Sequence, residues 1–392
     1  MTVMIISQTL TGGGAELVAA NLSKVLADDN NVIMVTYEQT ENEFSYSGER
    51  ITINSPGNSR SLFGRIITAI KRIYTLRRIK KKYKPDYSIS FVPQTDYANV
   101  LSFSRGTSSI IEVSSNSSVA FPGGFLKIIR VIVLKLAKKV VAVSEGSRQD
   151  LINNFHVKRK KVHTIYNSCD IDSVVSKANS SDIKNIELPP KYIISVGSFR
   201  YPKGHWHLIK AFASVADRIP DYSLVILGDG VYRAKYEKLV SELGIEKNRV
   251  IMPGFTINPY PIIKSACLFV FPSIYEGFGN VIVESMALGV PVLSTDCKYG
   301  PREIIDPRRL NCSIDSFTEG EYGWLFPAFN LDDIDISNTI NPNEVEFGAA
   351  IVNCLLSEKK RDLYISGGLI RCRDFSSIVF KKTWLEFLNE FE

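Results

Sequence analysis

Residues 267–295 read CLFVFPSIYEGFGNVIVESMALGVPVLST. The first segment is a nearly continuous apolar run, as a strand covered on both faces requires. "IYEGFGN" is a loop, whose glycines Gly277 and Gly279 let backbone amides reach a ligand. From about Asn280 the pattern is helical, and "PVLST" returns to strand. A strand, a helix and a second strand in this order make a parallel crossover unit. The same alternation runs through the chain. Strands are predicted at TVMIIS, NVIMVTY, DYSISFV, SSIIEV, KVVAVS and KVHTIYN, then at YIISVGS, YSLVILG, RVIMPG, CLFVFPS, PVLST and YGWLF. Amphipathic segments such as 148–155 and 207–218 lie between them. The expected class is α/β, with parallel sheets carrying helices on both faces.

The 392 residues suit two such domains. A polar stretch, SKANSSDIKNIELPPK, breaks the pattern between about 167 and 190 and reads as a linker. The expected division is 1–168 and 169–373. Two doubly wound sheets facing across a deep cleft would place their ligands beyond the carboxyl ends of the strands.

Composition excludes several classes. No apolar run approaches the ~18 residues of a membrane span. MTVMIISQTL lacks the basic start and cleavage site of a signal peptide and reads as a strand. The six cysteines are scattered without a C-x-x-C pair, which points to free thiols in a reducing, cytoplasmic setting. The net charge of +6 is uneven: 65–84, RIITAIKRIYTLRRIKKKYK, carries nine Lys or Arg. Ile66, Ile70, Ile73, Leu76, Ile79 and Tyr83 form an apolar stripe within it. Such a helix either lies on an anionic membrane surface or faces the core with a solvated basic side. No nucleic-acid motif accompanies it, and nucleic acid is not an expected partner.

Four strand-end loops are candidates for chemistry. TGGGAE, 11–16, follows the first strand, and its glycines, Gly13 and Gly14 among them, let backbone N–H groups approach a ligand. It lacks the third glycine of a dinucleotide fingerprint and the G-K-[ST] of a P-loop. In VGSFRYPKG, 196–204, Arg200 and Lys203 stand where a diphosphate would meet cations and a helix start. LGDG, containing Gly228, is a third glycine turn. In the fourth, the N–H groups of Phe278, Gly279 and Asn280 point at the same ligand, Glu284 suits a ribose diol, and Glu276 suits sugar hydroxyls or a developing positive charge.

Taken together, GGAE, AVSEGSRQDL, YNSCD, VGS…KG…LIKAF, LGDG and FPSIYEGFGNVIVESMALGVPV resemble the retaining GT-B glycosyltransferases of family four, with the E-x7-E pattern. GPREII followed by GEYGWLF resembles a subgroup building bacterial surface polysaccharides. The resemblance implies two Rossmann-like domains, with a C-terminal helix, 374–392, returning to the first. It implies that Glu276 contacts the donor sugar, Glu284 the ribose and Lys203 the diphosphate. Gly197, Ser198, Gly228, Gly254, Phe255, Gly277, Phe278, Gly279 and Asn280 are expected to line the donor, and Glu276, Lys203 and Arg200 to act in catalysis. The expected donor is a UDP-sugar, or a GDP-sugar, with no cofactor and no metal. The expected acceptor is a lipid-linked oligosaccharide, met at the inner face of the cell membrane through 65–84, in capsule, O-antigen or other lipopolysaccharide assembly. The chain departs from the family twice. Ser198 stands where an arginine is usual, leaving Arg200 to supply the charge. The segment IIEVSSNSSVAF has no histidine, leaving Ser115 or Asn116 on the acceptor side. The Asp170-x-Asp172 pair reads as a polar spacer. Two rival readings are a UDP-sugar 2-epimerase on the same architecture and a non-catalytic nucleotide-binding partner of an assembly complex.

Overall fold

The computed structural model describes residues 1–55, 61–180, 186–246, 248–310, 312–332 and 334–390. Residues 181–185 of the linker reading and 391–392 of the tail reading lie outside the described residues. The chain divides into two compact units, 1–168 with 377–392, and 169–376.

The N-terminal unit holds β1 (Thr2–Ser7), β2 (Asn31–Thr36), β3 (Glu49–Thr52), β4 (Tyr87–Ser90), β5 (Ser108–Val113), β6 (Lys139–Ala142) and β7 (Val162–Thr164). They form a parallel sheet in the order β3-β2-β1-β4-β5-β6-β7. The central strand shows why both faces are covered. Val3 and Ile5 point into one core with Val18, Ala19 and Leu22 of helix Gly14–Ala27. Met4 and Ile6, at the alternate positions, point into another with Leu76 and Ala98. All four are fully buried. The tail helix, Ser377–Asn389, completes the first core with Phe380, Trp384, Phe387 and Leu388. Each such aromatic contributes about 1.5–3 kcal/mol by leaving water. The helix begins at Ser377 rather than 374, because Cys372–Phe375 forms a tight 3-10 turn before it.

The C-terminal unit holds β8 (Tyr192–Val196), β9 (Ser223–Leu227), β10 (Val250–Gly254), β11 (Leu268–Phe271), β12 (Val292–Thr295), β13 (Thr318–Glu319) and β14 (Trp324–Phe326). Their order is β10-β9-β8-β11-β12-β14-β13, parallel except for the β13–β14 pair. In both sheets the strand order reverses beside the first strand, between β1 and β4 and between β8 and β11. Open α/β sheets bind ligands at that reversal.

The fold corrects parts of the sequence reading. Strands β3 and β13 lie at sheet edges, and their polar sequences lack the apolar run that marks the rest. The basic stripe splits in two within helix Leu62–Tyr83. Leu76 is buried with Ile73, Ile79 and Tyr83 against it, whereas Ile66 and Ile70 are 50% and 61% exposed beside exposed Phe63, Ile67 and Tyr74. Two of its cations are core residues. Lys80 is buried and donates to the side-chain and main-chain oxygens of Asn99 at 2.8 and 2.7 Å. Burial pushes its ammonium down to about 7. Arg72 lies over the Tyr37 ring at 4.2 Å and bonds Ser55.

Candidate active site

The chemistry-bearing loops of the C-terminal unit follow β8 and β11, the two strands that flank the reversal. After β8 the chain makes a 3-10 turn, Tyr201–Lys203, and enters helix His205–Val215 through Gly204. Gly204 has φ +60, and a Cβ on it would stand 2.2 Å from the Pro272 carbonyl oxygen. Only glycine lets the first loop press so closely on the end of β11. The approach brings Lys203 to Glu276, 73 residues away in sequence. Lys203 Nζ donates to Glu276 Oε1 at 2.6 Å, and Ser273 Oγ donates to the same oxygen at 2.8 Å. Both members of the ion pair remain partly open to solvent.

A third loop fixes the glutamate's backbone. Glu276 N–H donates to the Lys298 carbonyl and Tyr299 N–H to the Glu276 carbonyl, both at 2.9 Å. Gly300 of GPREII has φ +104, and a Cβ there would lie 2.1 Å from the Phe278 carbonyl oxygen. The segment after β12 thus clamps EGFG, and helix Asn280–Ala287 starts directly beyond it. Glu284 sits in its second turn. Burial raises its carboxyl to about 7, with Lys177 pulling the other way. His205, beside Lys203, is fully buried against Phe199 and Tyr236. Burial and the lysine charge push it down to about 3, so it stays neutral.

The other candidates of this unit stand on the same edge of the sheet. Gly197 N–H donates to the Leu227 carbonyl and Gly228 N–H to the Gly254 carbonyl, both at 3.0 Å, stitching the three strand ends together. Phe255 follows β10 and is 77% exposed. Ser198 and Arg200 are exposed, and Arg200 makes no ion pair among the described residues. Lys203, not Arg200, is therefore the cation joined to Glu276. Asp170 accepts from Ser173 N–H at 3.1 Å and caps helix Ile171–Ala178, with Asp172 in its first turn. The D-x-D is a helix start. Among the described residues no group of three His, Cys, Asp or Glu stands close enough to hold a metal ion.

Gly13, Gly14, Ser115 and Asn116 belong to the N-terminal unit. Gly13 precedes helix Gly14–Ala27, and a Cβ on it would meet Glu16 Oε2 at 2.2 Å, so a carboxylate of the loop itself lies over this turn. Asn116 is buried, and its Oδ1 accepts from Val119 N–H at 3.2 Å. It caps the short helix Ser117–Ala120. Ser115 is exposed. Two polar residues escaped the sequence reading: Ser273, whose only signal was its place at a strand end, and Glu112 of β5.

Residues 12–173 match the model "Glycosyltransferase Family 4", and residues 176–330 match "Glycosyl transferases group 1". The chain is a family-4-like glycosyltransferase. The glycosyltransferase is 27% identical over 390 residues to the N-acetylgalactosamine-N,N'-diacetylbacillosaminyl-diphospho-undecaprenol 4-alpha-N-acetylgalactosaminyltransferase of Campylobacter jejuni, covering 97% of each chain. It is 28% identical over 334 residues to an uncharacterized glycosyltransferase of Methanocaldococcus jannaschii, covering 80% of this chain and 82% of the relative. It superposes on a crystal structure of Anabaena HepE in complex with UDP and glucose with a TM-score of 0.74, at 19% identity over 99% of each chain. That likeness establishes the GT-B fold, two Rossmann-like sheets with their helices. No helix among the described residues is long and apolar enough to cross a membrane.

Proposed function

We propose that the enzyme transfers a sugar, with retention of configuration, from a nucleoside diphosphate to a lipid-linked glycan in surface-polysaccharide synthesis. A UDP-hexose or UDP-N-acetylhexosamine is the donor. The observation that carries this is the Lys203–Glu276 pair, locked by Gly204 and Gly300 beside the start of helix Asn280–Ala287. Lys203 and the helix N–H groups meet the diphosphate, Glu276 the donor sugar and Glu284 the ribose. Gly197, Ser198, Gly228, Gly254 and Phe255 border the donor from the neighbouring strand ends. The departing phosphate oxygen takes the acceptor proton on the face where the new bond forms, so no protein base is required. Charge gathers on that phosphate, where preorganised cations and N–H groups are most effective. Transfer is expected to continue in excess chelator, and a strict metal requirement would count against this mechanism. The relative acting on a diphospho-undecaprenol substrate supports the lipid-linked acceptor.

The test is a thermal-shift panel of UDP, GDP, dTDP, ADP and NAD. A ligand at a hundred times its Kd stabilises by about 2.7 kcal/mol. A shift with one nucleoside diphosphate is expected and names the base; no shift with any of them would overturn the donor site.

Glu284 makes the pH dependence specific. A ribose diol donates both its hydrogens, so it prefers the ionised carboxylate. Below about pH 7 Glu284 holds its proton and binding must expel it; above that pH the cost vanishes. UDP affinity should therefore rise about tenfold from pH 6 to pH 8. Titration calorimetry of the wild type and of Glu284→Gln checks this, because the variant should lose that part of the slope.

The exposed half of helix Leu62–Tyr83 supports contact with anionic lipid. Helix Gly124–Leu136 of the same unit adds Phe125, Leu126, Ile128 and Ile132, also exposed, with Lys127 and Lys135 beside them. Near a membrane each cation contributes about 1 kcal/mol. Neutralising Arg77, Arg78 and Lys81 together should weaken sedimentation with phosphatidylglycerol vesicles about a hundredfold. Lys80 is left intact because it is buried. Undiminished binding would show that the stripe does not meet lipid.

A further inference from the structure

The N-terminal unit carries an acidic pair that the donor chemistry leaves unused. Glu112 is the penultimate residue of β5, at the carboxyl end of the sheet, where folds of this class hold their ligands. Strand alternation turns its side chain to the face of Ile110, which packs in the core shared with helix Gly14–Ala27. It is 2% exposed. Its Oε2 accepts from Ser114 Oγ, while its Oε1 is buried with no hydrogen-bond partner among the described residues. Glu16 stands in the first turn of helix Gly14–Ala27, near enough for its charge to act on Glu112, and its carboxylate folds back over Gly13.

Burial raises both carboxyls, Glu112 to about 8. For Glu112 the charges of Asp96 and Glu16 push the same way, against Arg130 and the bond from Ser114. At neutral pH Glu112 is thus a neutral acid, one O–H donor with acceptor capacity to spare. A hydroxyl-rich neutral group answers both the donor and the acceptor of such an acid. A buried oxygen without a partner lowers stability, and a ligand hydroxyl that completes the bond restores what is lost.

We propose that Glu112 and Glu16 form the acceptor-sugar subsite, with Oε1 of Glu112 bonding a hydroxyl of the terminal acceptor sugar while Ser114 holds the other oxygen. The proposal rests on the transferase reading and takes its acceptor class from it. It places acceptor recognition on Glu16, the glutamate of GGAE, and on Glu112, in the segment where the usual histidine is missing.

The experiment uses the full chain saturated with UDP. Free N-acetylgalactosamine, N-acetylglucosamine, galactose and glucose serve as probes, and binding is read by saturation-transfer NMR. At least one sugar should bind the wild type, and Glu112→Leu should weaken it tenfold or more with UDP affinity unchanged. Glu16→Gln, which leaves β5 untouched, should weaken the same sugar. Glu112→Leu should also melt no lower than the wild type, because an unpaired buried oxygen gives way to an apolar group. A merely structural glutamate would not separate sugar binding from stability in this way. Wild-type sugar affinity in both variants overturns the subsite. So does a wild type that binds UDP and none of the four sugars, an outcome that leaves the transferase reading standing. A wild type that binds no UDP removes that reading first, and the subsite with it.

Discussion

Lys203→Ala is expected to lower turnover at least a hundredfold. The lysine is the cation the tertiary structure delivers to Glu276, at 2.6 Å, and on the proposed mechanism it faces the phosphate on which charge accumulates. Removing one preorganised donor from such a position typically costs about 2.7–4 kcal/mol, or two to three powers of ten in rate. A second effect adds to the first. Without Lys203, the Glu276 carboxylate keeps only the bond from Ser273 among the described residues, and its charge is left to repel an incoming diphosphate. The Michaelis constant for the donor should therefore rise while the turnover number falls. Stability should change little, because the pair is partly open to solvent and such pairs contribute at most about 1 kcal/mol. Steady-state kinetics with the donor named by the thermal panel checks the prediction, and near-normal turnover would remove Lys203 from the mechanism.

Asp96→Ala should destabilise the N-terminal unit by about 3–5 kcal/mol. Asp96 and Arg130 join helices Pro93–Leu101 and Gly124–Leu136 at 2.5 Å, both essentially excluded from water. Ser90 Oγ donates to the other carboxylate oxygen at 2.7 Å. Truncating the aspartate strands a guanidinium whose Nε already lacks a partner among the described residues. Burial nevertheless raises the Asp96 carboxyl despite its arginine, a sign that desolvation outweighs the attraction. Replacing both residues, Asp96→Leu with Arg130→Met, should accordingly recover most of the loss. Urea unfolding followed separately for the two units is the measurement, since a chain with two compact units need not unfold in one step. A single-variant loss below about 1 kcal/mol would show that the buried charge finds water or another partner.

Much of the fold was legible because parallel strands covered on both faces are short apolar runs, and the helices between them keep their own period. The central strands, from "VMII" of β1 to "LFVF" of β11, announce themselves in this way. The edge strands Glu49–Thr52 and Thr318–Glu319 do not, since half-exposed pairs need no apolar run. The donor-side loops were legible for a related reason. Gly204 and Gly279 mark places where the backbone must turn or touch, and the glutamate spacing sets Glu284 in the helix that follows.

By itself, the sequence determined the α/β class, the strand-end loops and the residue types that stand in them. These follow from periodicity and turn chemistry, which act over a few residues. Only the tertiary structure decided which side chains meet. It joined Lys203 rather than Arg200 to Glu276, sank Lys80 beneath a helix read as a cationic stripe, and spent Asn116 on a cap. It also left Glu112 buried with an oxygen to spare. The reason is that partnership depends on strand order and on the close approach of distant loops. A periodic pattern tells which face of an element is covered, and carries no record of what covers it.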